Sequence, residues 1–277
     1  MKTLRLINLA LSAIISVSLT SCGDDDSNSP ETPVGPSPQA KHITRIVQDE
    51  DDGDKTEYIF SYDSQGRVTS MVEKETNRTR AGSTYTYSFD FTYGDNTVTI
   101  KRGDSYNYTY SLLNGRITSC KREYLKSSSS EDRITSYSYD AQGYLASMNE
   151  NSENRTFTWS GGDLTESDMT YQEYDGERHR WYRFDYSDDT APANYIPIIL
   201  FDSKEAVLAM MGLFGKMPVH LVRNITTYKN GTSDYISTTL VHRMQDGLPV
   251  SIDYTEVHQS NGNPETPTFA KITLEWN

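Results

Sequence analysis

Metal-binding and disulfide signals are scarce in this chain. Two cysteines occur in 277 residues, at positions 22 and 120. The five histidines form no HExxH or related pattern, and no Cys/His spacing matches a zinc site. No metal centre and no cofactor are predicted, so the folded part must depend on its apolar core.

Long apolar runs are also lacking, with one exception at the amino terminus. Residues 6–19 form an apolar stretch of about 14 residues behind Lys2 and Arg5, shorter than the roughly 20 that a membrane-spanning helix needs. The stretch ends in Leu19-Thr20-Ser21-Cys22, which is typical of a lipoprotein signal peptide. We expect cleavage before Cys22 and a lipid anchor in the outer membrane through acylation of its thiol.

Basic residues are too few to balance the acidic ones. The chain has 26 Lys and Arg against 39 Asp and Glu, a net charge of −13. Removing residues 1–21 with Lys2 and Arg5 moves the charge to about −15. Nucleic acid is excluded as a partner because phosphates require a basic surface.

Catalytic signatures are missing as well. The sequence contains no GxSxG elbow, P-loop or dinucleotide fingerprint. We expect no enzymatic activity, and a hydrolase based on unrecognised carboxylates is the residual alternative. The acidic run 49–54 resembles a calcium loop only in its density of carboxylates, and a solvated hairpin loop explains it better.

Composition divides the chain into three parts. Residues 1–21 are the signal peptide, and residues 22–40 are a proline-rich tether. Residues 41–277 form one β-rich domain, with a composition change over 190–217 that is open to interpretation as a subdomain seam.

Aromatic residues alternate with Thr, Ser and Asp along most of that domain. The clearest case is 84–92, where one face is aromatic and the other consists of polar residues. Period two with aromatic and Thr enrichment predicts half-buried antiparallel strands. Tyr137 and Tyr139, or Tyr182 and Phe184, show the same pattern.

A turn motif recurs between the strands. Residues 62–71 align with 139–148 around Asp-x-x-Gly, and Gly66 and Gly115 are 49 residues apart. Asp favours the first position of a type I turn, and Gly favours the left-handed position that closes a bulged hairpin. The fold class predicted is all-β, an extended twisted antiparallel sheet of repeated hairpins with one short helix at about 203–214.

Two resemblances follow from these motifs. The run Tyr-x-Tyr-Asp-x-x-Gly-Arg is similar to the YD repeats of RHS-type bacterial surface proteins, which implies hairpins in curved sheets. The lipobox, tether and hairpins together resemble a family of uncharacterised Bacteroidetes lipoproteins with a domain of unknown function. In such proteins acidic residues behind the lipidated cysteine act as a signal for export to the cell surface, a role that the resemblance implies for Asp24, Asp25 and Asp26.

The helix at 203–214 and Cys120 each have a predicted structural role. Asp202 or Ser203 can cap the helix and Gly215 can end it. We expect the helix to plug one sheet face, with partner docking as the alternative. Cys120 occupies the same hairpin position as Met71, which predicts a packed side chain and not a nucleophile.

The candidate binding site lies in 171–186. Arg178, Arg180 and Arg183 surround Trp181 in an otherwise acidic sequence. If Tyr182 faces the core, alternation places Trp181 on the opposite face beside charges, as at many recognition surfaces. The alternative is a structural role, in which Trp181 is buried under a loop or the helix.

These observations predict a cell-surface lipoprotein without enzymatic activity that binds an extracellular glycan or protein. The alternative is an envelope-structural protein or a carrier of lipid or lipoprotein, with the helix at 203–214 as its lid.

Overall fold

The computed structural model describes residues 41–77, 82–126, 132–151, 153–173, 176–192, 203–229, 234–260 and 262–277. Among these residues are seventeen strands and one α-helix. The elements in chain order are β1 (Ile43–Glu50), β2 (Lys55–Tyr62), β3 (Val68–Asn77), β4 (Ser83–Tyr93), β5 (Thr97–Arg102), β6 (Tyr106–Leu113), β7 (Arg116–Tyr124), β8 (Arg133–Tyr139), β9 (Leu145–Glu150), β10 (Glu153–Ser160), β11 (Asp163–Glu173), β12 (Gly176–Thr190), α1 (Ser203–Met210), β13 (His220–Lys229), β14 (Tyr235–Gln245), β15 (Leu248–Ser260), β16 (Asn263–Pro264) and β17 (Thr268–Trp276).

The strands form a closed antiparallel barrel. From β1 to β16 each strand pairs with the next along the chain, and β15 also pairs with β17. Strand β1 closes the ring by pairing with β17 from Ile43↔Trp276 to Glu50↔Ala270. Within the described residues, sixteen strands build the wall, and the two-residue β16 pairs only with β15. Closure satisfies the hydrogen-bonding groups that an open sheet would leave at its edges.

The predicted extended sheet is therefore wrong, although the antiparallel all-β class is confirmed. Period-two alternation and turn motifs specify hairpins, and they are the same for an open sheet and for a barrel. The barrel is selected because its first and last strands, more than two hundred residues apart, match in register. The composition change over 190–217 marks the helix connection between β12 and β13 in the same barrel.

Alternation along each strand separates an apolar lumen from a polar outer wall. In β4, Phe89 and Phe91 are buried inside the barrel. The outward residues of that strand are exposed and polar: Thr84, Thr86, Ser88, Asp90 and Thr92. The outward residues of β10 are polar as well: Asn154, Thr156, Thr158 and Ser160. Side chains directly opposite on paired strands share a face. Polar residues predominate on the outer face, which also carries the exposed apolar residues Ile134, Val241 and Phe269.

Helix α1 lies inside the barrel and confirms the predicted plug. Its residues are buried around the whole circumference, from Ala206 to Met210, and Phe214 packs edge-on against Tyr137 with ring centroids 5.2 Å apart. The helix ends at Met210, four residues earlier than predicted. The cause is Gly212, whose φ of 72° is left-handed and stops the helix.

The two ends of the barrel differ. At the plugged end, Leu213 O accepts a hydrogen bond from Ile117 N at 2.9 Å, so the segment after α1 is fixed to the wall. The start and the end of the described chain meet at this end too, since His42 N donates to Asn277 Oδ1 at 2.7 Å. We call the opposite end the open end; the strands reach it at residues such as Tyr124 of β7.

The predicted turn chemistry is confirmed at the plugged end. Asp63 Oδ1 accepts from the backbone N–H of Gln65 and of Arg67, both at 2.9 Å. Gly66 has a φ of 76°, and a bulge follows Ser61. Equivalent contacts recur in the next aligned motif, where Asp140 accepts from Gln142 N and Tyr144 N and Gly143 has a φ of 90°.

Cys120 is 4% exposed and packs in the apolar lumen, as predicted. Its inward position matches that of Met71, which is 1% exposed. The cysteine therefore belongs to the core of the barrel.

Candidate functional site

The predicted lipidation and export residues, Cys22 and Asp24 to Asp26, lie outside the described residues. Within the described part of the chain, no helix is long and apolar enough to cross a bilayer. The described residues also contain no cluster of three or more His, Cys, Asp or Glu side chains suited to a metal ion.

The four remaining site residues lie on β12, where the strand alternation divides them between two faces. Tyr182 and Phe184 are buried in the lumen, so Trp181 and Arg183 point outward. This confirms the predicted face for Trp181, which is half-buried in the outer wall. Arg178 and Arg180 lie on the inner face, separated from Trp181 by the sheet itself.

The outward pair belongs to a row of aromatic side chains across three neighbouring strands. Trp181 lies directly opposite Tyr228 of β13, and Tyr228 lies directly opposite Tyr235 of β14. The two tyrosine rings are 5.7 Å apart, and His179 stacks on Trp181 with centroids 5.6 Å apart. We call Trp181, Tyr228 and Tyr235 the outer aromatic row.

Charged groups flank this row. The guanidinium of Arg183 lies 5.7 Å from the centroid of the Tyr228 ring, and its Nε is 3.9 Å from Glu166. Asp168 lies directly opposite Trp181 on β11. Flat apolar rings beside hydrogen-bonding groups can stack on the face of a sugar or bury a partner side chain while polar contacts fix its orientation.

The inward pair belongs to a different environment. Arg178 donates from Nε to Glu173 at 3.0 Å. Arg180 lies 5.6 Å from the ring centroid of Tyr171, and its Nη1 donates to the Tyr182 hydroxyl at 3.5 Å. These arginines therefore line the lumen towards the open end.

Arg155 shows how the lumen holds a buried cation. Its Nε donates to Ser167 Oγ at 3.0 Å, and its guanidinium lies 4.9 Å from the ring centroid of Tyr182. Burial lowers the pKa of Arg155, but an arginine remains charged at any pH of interest. The lumen thus combines an apolar half around α1 with a half that contains tyrosine and arginine.

Other lumen arginines were missed by the sequence reasoning. Arg102 and Arg122 follow Ile100 and Cys120 by two residues, and both of those are buried inside the barrel. Since residues two apart on a strand share a face, the spacing alone places these guanidinium groups on the inner face of the barrel. The local composition points to 178–183 instead, because four basic residues lie within these six positions.

Solved structures show the same fold. A porin-like protein from Bacteroides uniformis matches with a TM-score of 0.61 and 16% identity, over 85% of this chain and 98% of that chain. A porin-like protein from Bacteroides vulgatus matches with a TM-score of 0.58 and 16% identity over the same shares. At this identity the likeness shows the fold, which is consistent with an outer-membrane protein. A search of curated proteins gives no significant match.

The family model that matches residues 60–243 is described as a domain of unknown function with a porin-like fold. The resemblance to Bacteroidetes proteins of unknown function is confirmed to this extent, whereas neither the likeness to RHS-type repeats nor a lipoprotein family is supported by the match. The match spans more than half of the chain and agrees with the closed barrel, so this protein belongs to the DUF4595 family.

Proposed function

We propose that this protein is a non-enzymatic lipoprotein of the outer membrane whose barrel stands outside the bilayer and binds an extracellular glycan or protein. Acylated Cys22 is the anchor, and the outer aromatic row is the binding surface. Asp24, Asp25 and Asp26 direct the protein to the cell surface.

The composition of the outer wall supports an anchor in place of an inserted barrel. A barrel embedded in lipid presents an apolar outward band about 25 Å tall with aromatic girdles. Here the buried apolar core lies inside the barrel, and the outward positions of β4 and β10 carry Thr, Ser, Asn and Asp. The exposed outward apolar residues Ile134, Val241 and Phe269 lie on three strands that are not neighbours, β8, β14 and β17. Placing these polar groups against lipid tails would be costly, so attachment through acyl chains fits the wall better.

The path of the chain sets the orientation of an anchored barrel. Strand β1 starts at the plugged end with Ile43, and residues 22–40 would connect it to the membrane. Nineteen residues span at most about 65 Å when extended. The tether joins the barrel at the plugged end, so we place that end towards the membrane and the open end away from it.

The single observation that carries the binding role is the outer aromatic row. Trp181, Tyr228 and Tyr235 are three large rings in register on neighbouring strands of an outer wall in which polar residues predominate. Aromatic side chains in such a position contribute more to recognition than to the core, because the lumen is on the other side of the sheet.

The alternative role as a lipid carrier with a helical lid is less well supported. The side chains of α1 occupy the apolar half of the lumen and are buried on all sides, from Ala206 at 2% to Ala209 at 0% exposure. A lid would present one face to solvent, and the space that an acyl chain needs is taken by the helix.

A binding screen tests the proposal. The full chain, purified in a mild detergent, is applied to arrayed glycans and mucins beside Trp181→Ala. We expect a bound target whose signal falls at least tenfold in the variant. Phe269→Ala is the matched control, since Phe269 is an outward aromatic side chain, 52% exposed, outside the row. Equal binding by Trp181→Ala, with unchanged thermal stability, would exclude the row as the binding surface.

A further inference from the structure

We propose that the lumen contains a second binding site, for an oxyanion-bearing saccharide, on the inner wall of β5 to β8 at the open end. Its cationic groups are Arg102, Arg122, Arg133 and Lys204, and its aromatic surface consists of Tyr106, Tyr108 and Tyr124. This set is called the lumen anion site.

The first observation is a pair of like charges directly opposite each other. Arg122 of β7 pairs with Arg133 of β8, and Arg122 also lies opposite the buried Tyr108, which places both guanidinium groups on the inner face. Like charges in this position destabilise an antiparallel pair. Arg133 has a carboxylate partner, Glu150, at 3.3 Å. Arg122 forms no ion pair with any described carboxylate, and its ring contact is Tyr106 at 6.0 Å.

The second observation is that further cations converge on the same tyrosines. Arg102 lies directly opposite Tyr106, and its guanidinium stacks 4.3 Å from the ring centroid of Tyr87, with no ion pair to a described carboxylate. The Lys204 ammonium, in the first turn of α1, lies 4.6 Å from the ring centroid of Tyr108. The amino-terminal end of a helix carries partial positive charge, which adds to the field at this wall.

One carboxylate of the helix is already engaged. Glu205 Oε1 accepts a hydrogen bond from the Tyr137 hydroxyl at 2.9 Å. Glu150 is paired with Arg133, and Glu73, 3% exposed, lies on the inner face of β3 directly opposite Tyr87, the ring on which Arg102 stacks. Neither Arg102 nor Arg122 forms an ion pair with a described carboxylate, and both guanidinium groups contact aromatic rings. A bound anion would give the guanidinium groups of Arg102 and Arg122 the direct ionic partners that the described carboxylates do not supply.

The ligand class follows from the two kinds of group. A guanidinium that stacks on a ring face keeps its N–H edge free for bidentate bonds to a carboxylate or sulfate. The tyrosine rings offer flat faces, with Tyr106 and Tyr124 centroids 5.1 Å apart and Tyr106 and Tyr108 centroids 6.0 Å apart. The arginines can bind an oxyanion, and the tyrosine rings can stack on a sugar ring. A saccharide that bears an oxyanion would use both kinds of group.

Access is from the open end. Tyr124 is 36% exposed, and the side chain of Arg133 is 58% exposed. Arg122 and Tyr106, their direct strand partners, are less exposed and half-buried. A saccharide would enter past Arg133 and be partly desolvated at Arg122, where a charged hydrogen bond is stronger than at the surface.

Isothermal titration of the full chain in detergent tests this site at low salt. The probes are hexasaccharides of chondroitin sulfate and of hyaluronan, which separate sulfate from carboxylate recognition, and inorganic sulfate. We expect one hexasaccharide to bind with an affinity that falls as salt rises, and at least tenfold more weakly in Arg122→Gln. Arg243→Gln, at an outer arginine paired with Asp253 at 2.9 Å, is the control and should bind as the unaltered chain does.

Thermal unfolding distinguishes binding from structure at the same residue. Removing one of two opposed cations should leave the Tm of Arg122→Gln unchanged or raised while binding is lost. The site would be overturned if Arg122→Gln bound the hexasaccharides as well as the unaltered chain does. It would also be overturned if Arg122→Gln lost saccharide binding and had a lowered Tm, because the loss would then reflect damage to the fold. Inorganic sulfate that binds as tightly as the hexasaccharides would overturn the role of the sugar ring. Trp181→Ala should bind normally here, so this site and the outer aromatic row can fail separately.

Discussion

The hydroxyl of Tyr62 donates a hydrogen bond to the carbonyl oxygen of Ile43 at 2.6 Å, which joins the end of β2 to the start of β1. Burial raises the pKa of Tyr62, so the hydroxyl keeps its proton as a donor. The same relationship recurs in five other hairpins, each with an aromatic donor near the end of the second strand and a carbonyl at the start of the first. The pairs are Tyr93 with Val68, Tyr139 with Ile117, Trp159 with Leu145, Tyr186 with Leu164 and Trp276 with Pro249.

This bond predicts that single hydroxyl deletions weaken the barrel. Tyr62→Phe leaves the Ile43 carbonyl without its side-chain donor in a half-buried position, so the free energy of unfolding should fall by about 1–3 kcal/mol. Tyr93→Phe should have a similar effect, since Tyr93 donates to Val68 O at 2.8 Å. Urea denaturation followed by tryptophan fluorescence measures both.

Tyr85→Phe is the matched control for these hydroxyl deletions. Tyr85 is 43% exposed on β4. Its substitution should change the free energy of unfolding by less than about 0.5 kcal/mol. Equal losses in Tyr62→Phe and Tyr85→Phe would show that the carbonyl contact does not stabilise the plugged end.

The junction between α1 and the wall predicts a large effect at Gly215. Its φ is 81°, and a Cβ there would overlap the carbonyl oxygen of Gly143, a backbone atom that already accepts from Lys216 N at 3.1 Å. Gly212 has a similar φ of 72° but open space around it. Both Gly→Ala variants should lose about 1 kcal/mol or more of folding stability through backbone strain. Gly215→Ala should lose clearly more than Gly212→Ala, because its Cβ also overlaps the Gly143 carbonyl oxygen.

Comparing the Tm of the two glycine variants isolates the close approach, because the backbone strain is common to both. If Gly212→Ala lowered the Tm as much as Gly215→Ala, the contact between Gly215 and the turn at Gly143 would contribute nothing to the position of α1.

Glu50 predicts a pH dependence of stability. Burial, together with Asp52 and Asp54, raises the pKa of Glu50 to about 7 from 4.5 in the unfolded chain. A carboxyl with a raised folded pKa binds its proton more tightly in the folded state than in the unfolded state. Below pH 4.5 it is protonated in both states, so it does not reduce the free energy of unfolding. Its cost grows as the pH rises from about 4.5 to 7 and is fully present above that. Glu50→Gln should therefore reduce the loss of stability between pH 5 and pH 8.

Urea midpoints at pH 5 and pH 8 measure this slope. Asp104→Asn is the control, because the side chain of Asp104 is 91% exposed and should leave the slope as it is in the unaltered chain. The assignment to Glu50 would be wrong if Glu50→Gln showed the same decline as Asp104→Asn.

The local parts of this fold could be predicted from the sequence, and its closure could not. The strand at 84–92 and the turn from Asp63 to Gly66 agree with the structure, because the strand is encoded by alternation and the turn by an aspartate and a glycine that tolerates positive φ. The pairing of Glu50 with Ala270 joins residues 220 positions apart. Period-two patterns report which face is buried, and they carry no information on which distant strand completes the ring.

The candidate sites show the same division. Alternation predicted that Trp181 and Tyr182 occupy opposite faces. The same rule puts Arg180 in the lumen, so neighbours in sequence on a strand cannot form one site. The other members of the outer aromatic row, Tyr228 and Tyr235, are brought to Trp181 by the pairing of β12 with β13 across the helix connection. Only the register of the barrel shows this row.

Because the outer wall is largely polar, a single substitution at Cys22 tests the proposed anchor. If Cys22 is acylated and the wall does not enter lipid, Cys22→Ala should move the protein from the membrane fraction to the soluble fraction. Cys120→Ala is the matched control, since this cysteine is 4% exposed in the lumen and should leave the protein in the membrane. Fractionation after a carbonate wash, with a palmitate label on the unaltered chain, makes the measurement. Retention of Cys22→Ala in the washed membrane would mean that the barrel itself is held by lipid. Outward polar residues such as Thr86 and Thr156 would then face lipid tails, and the described chain supplies no apolar covering for them.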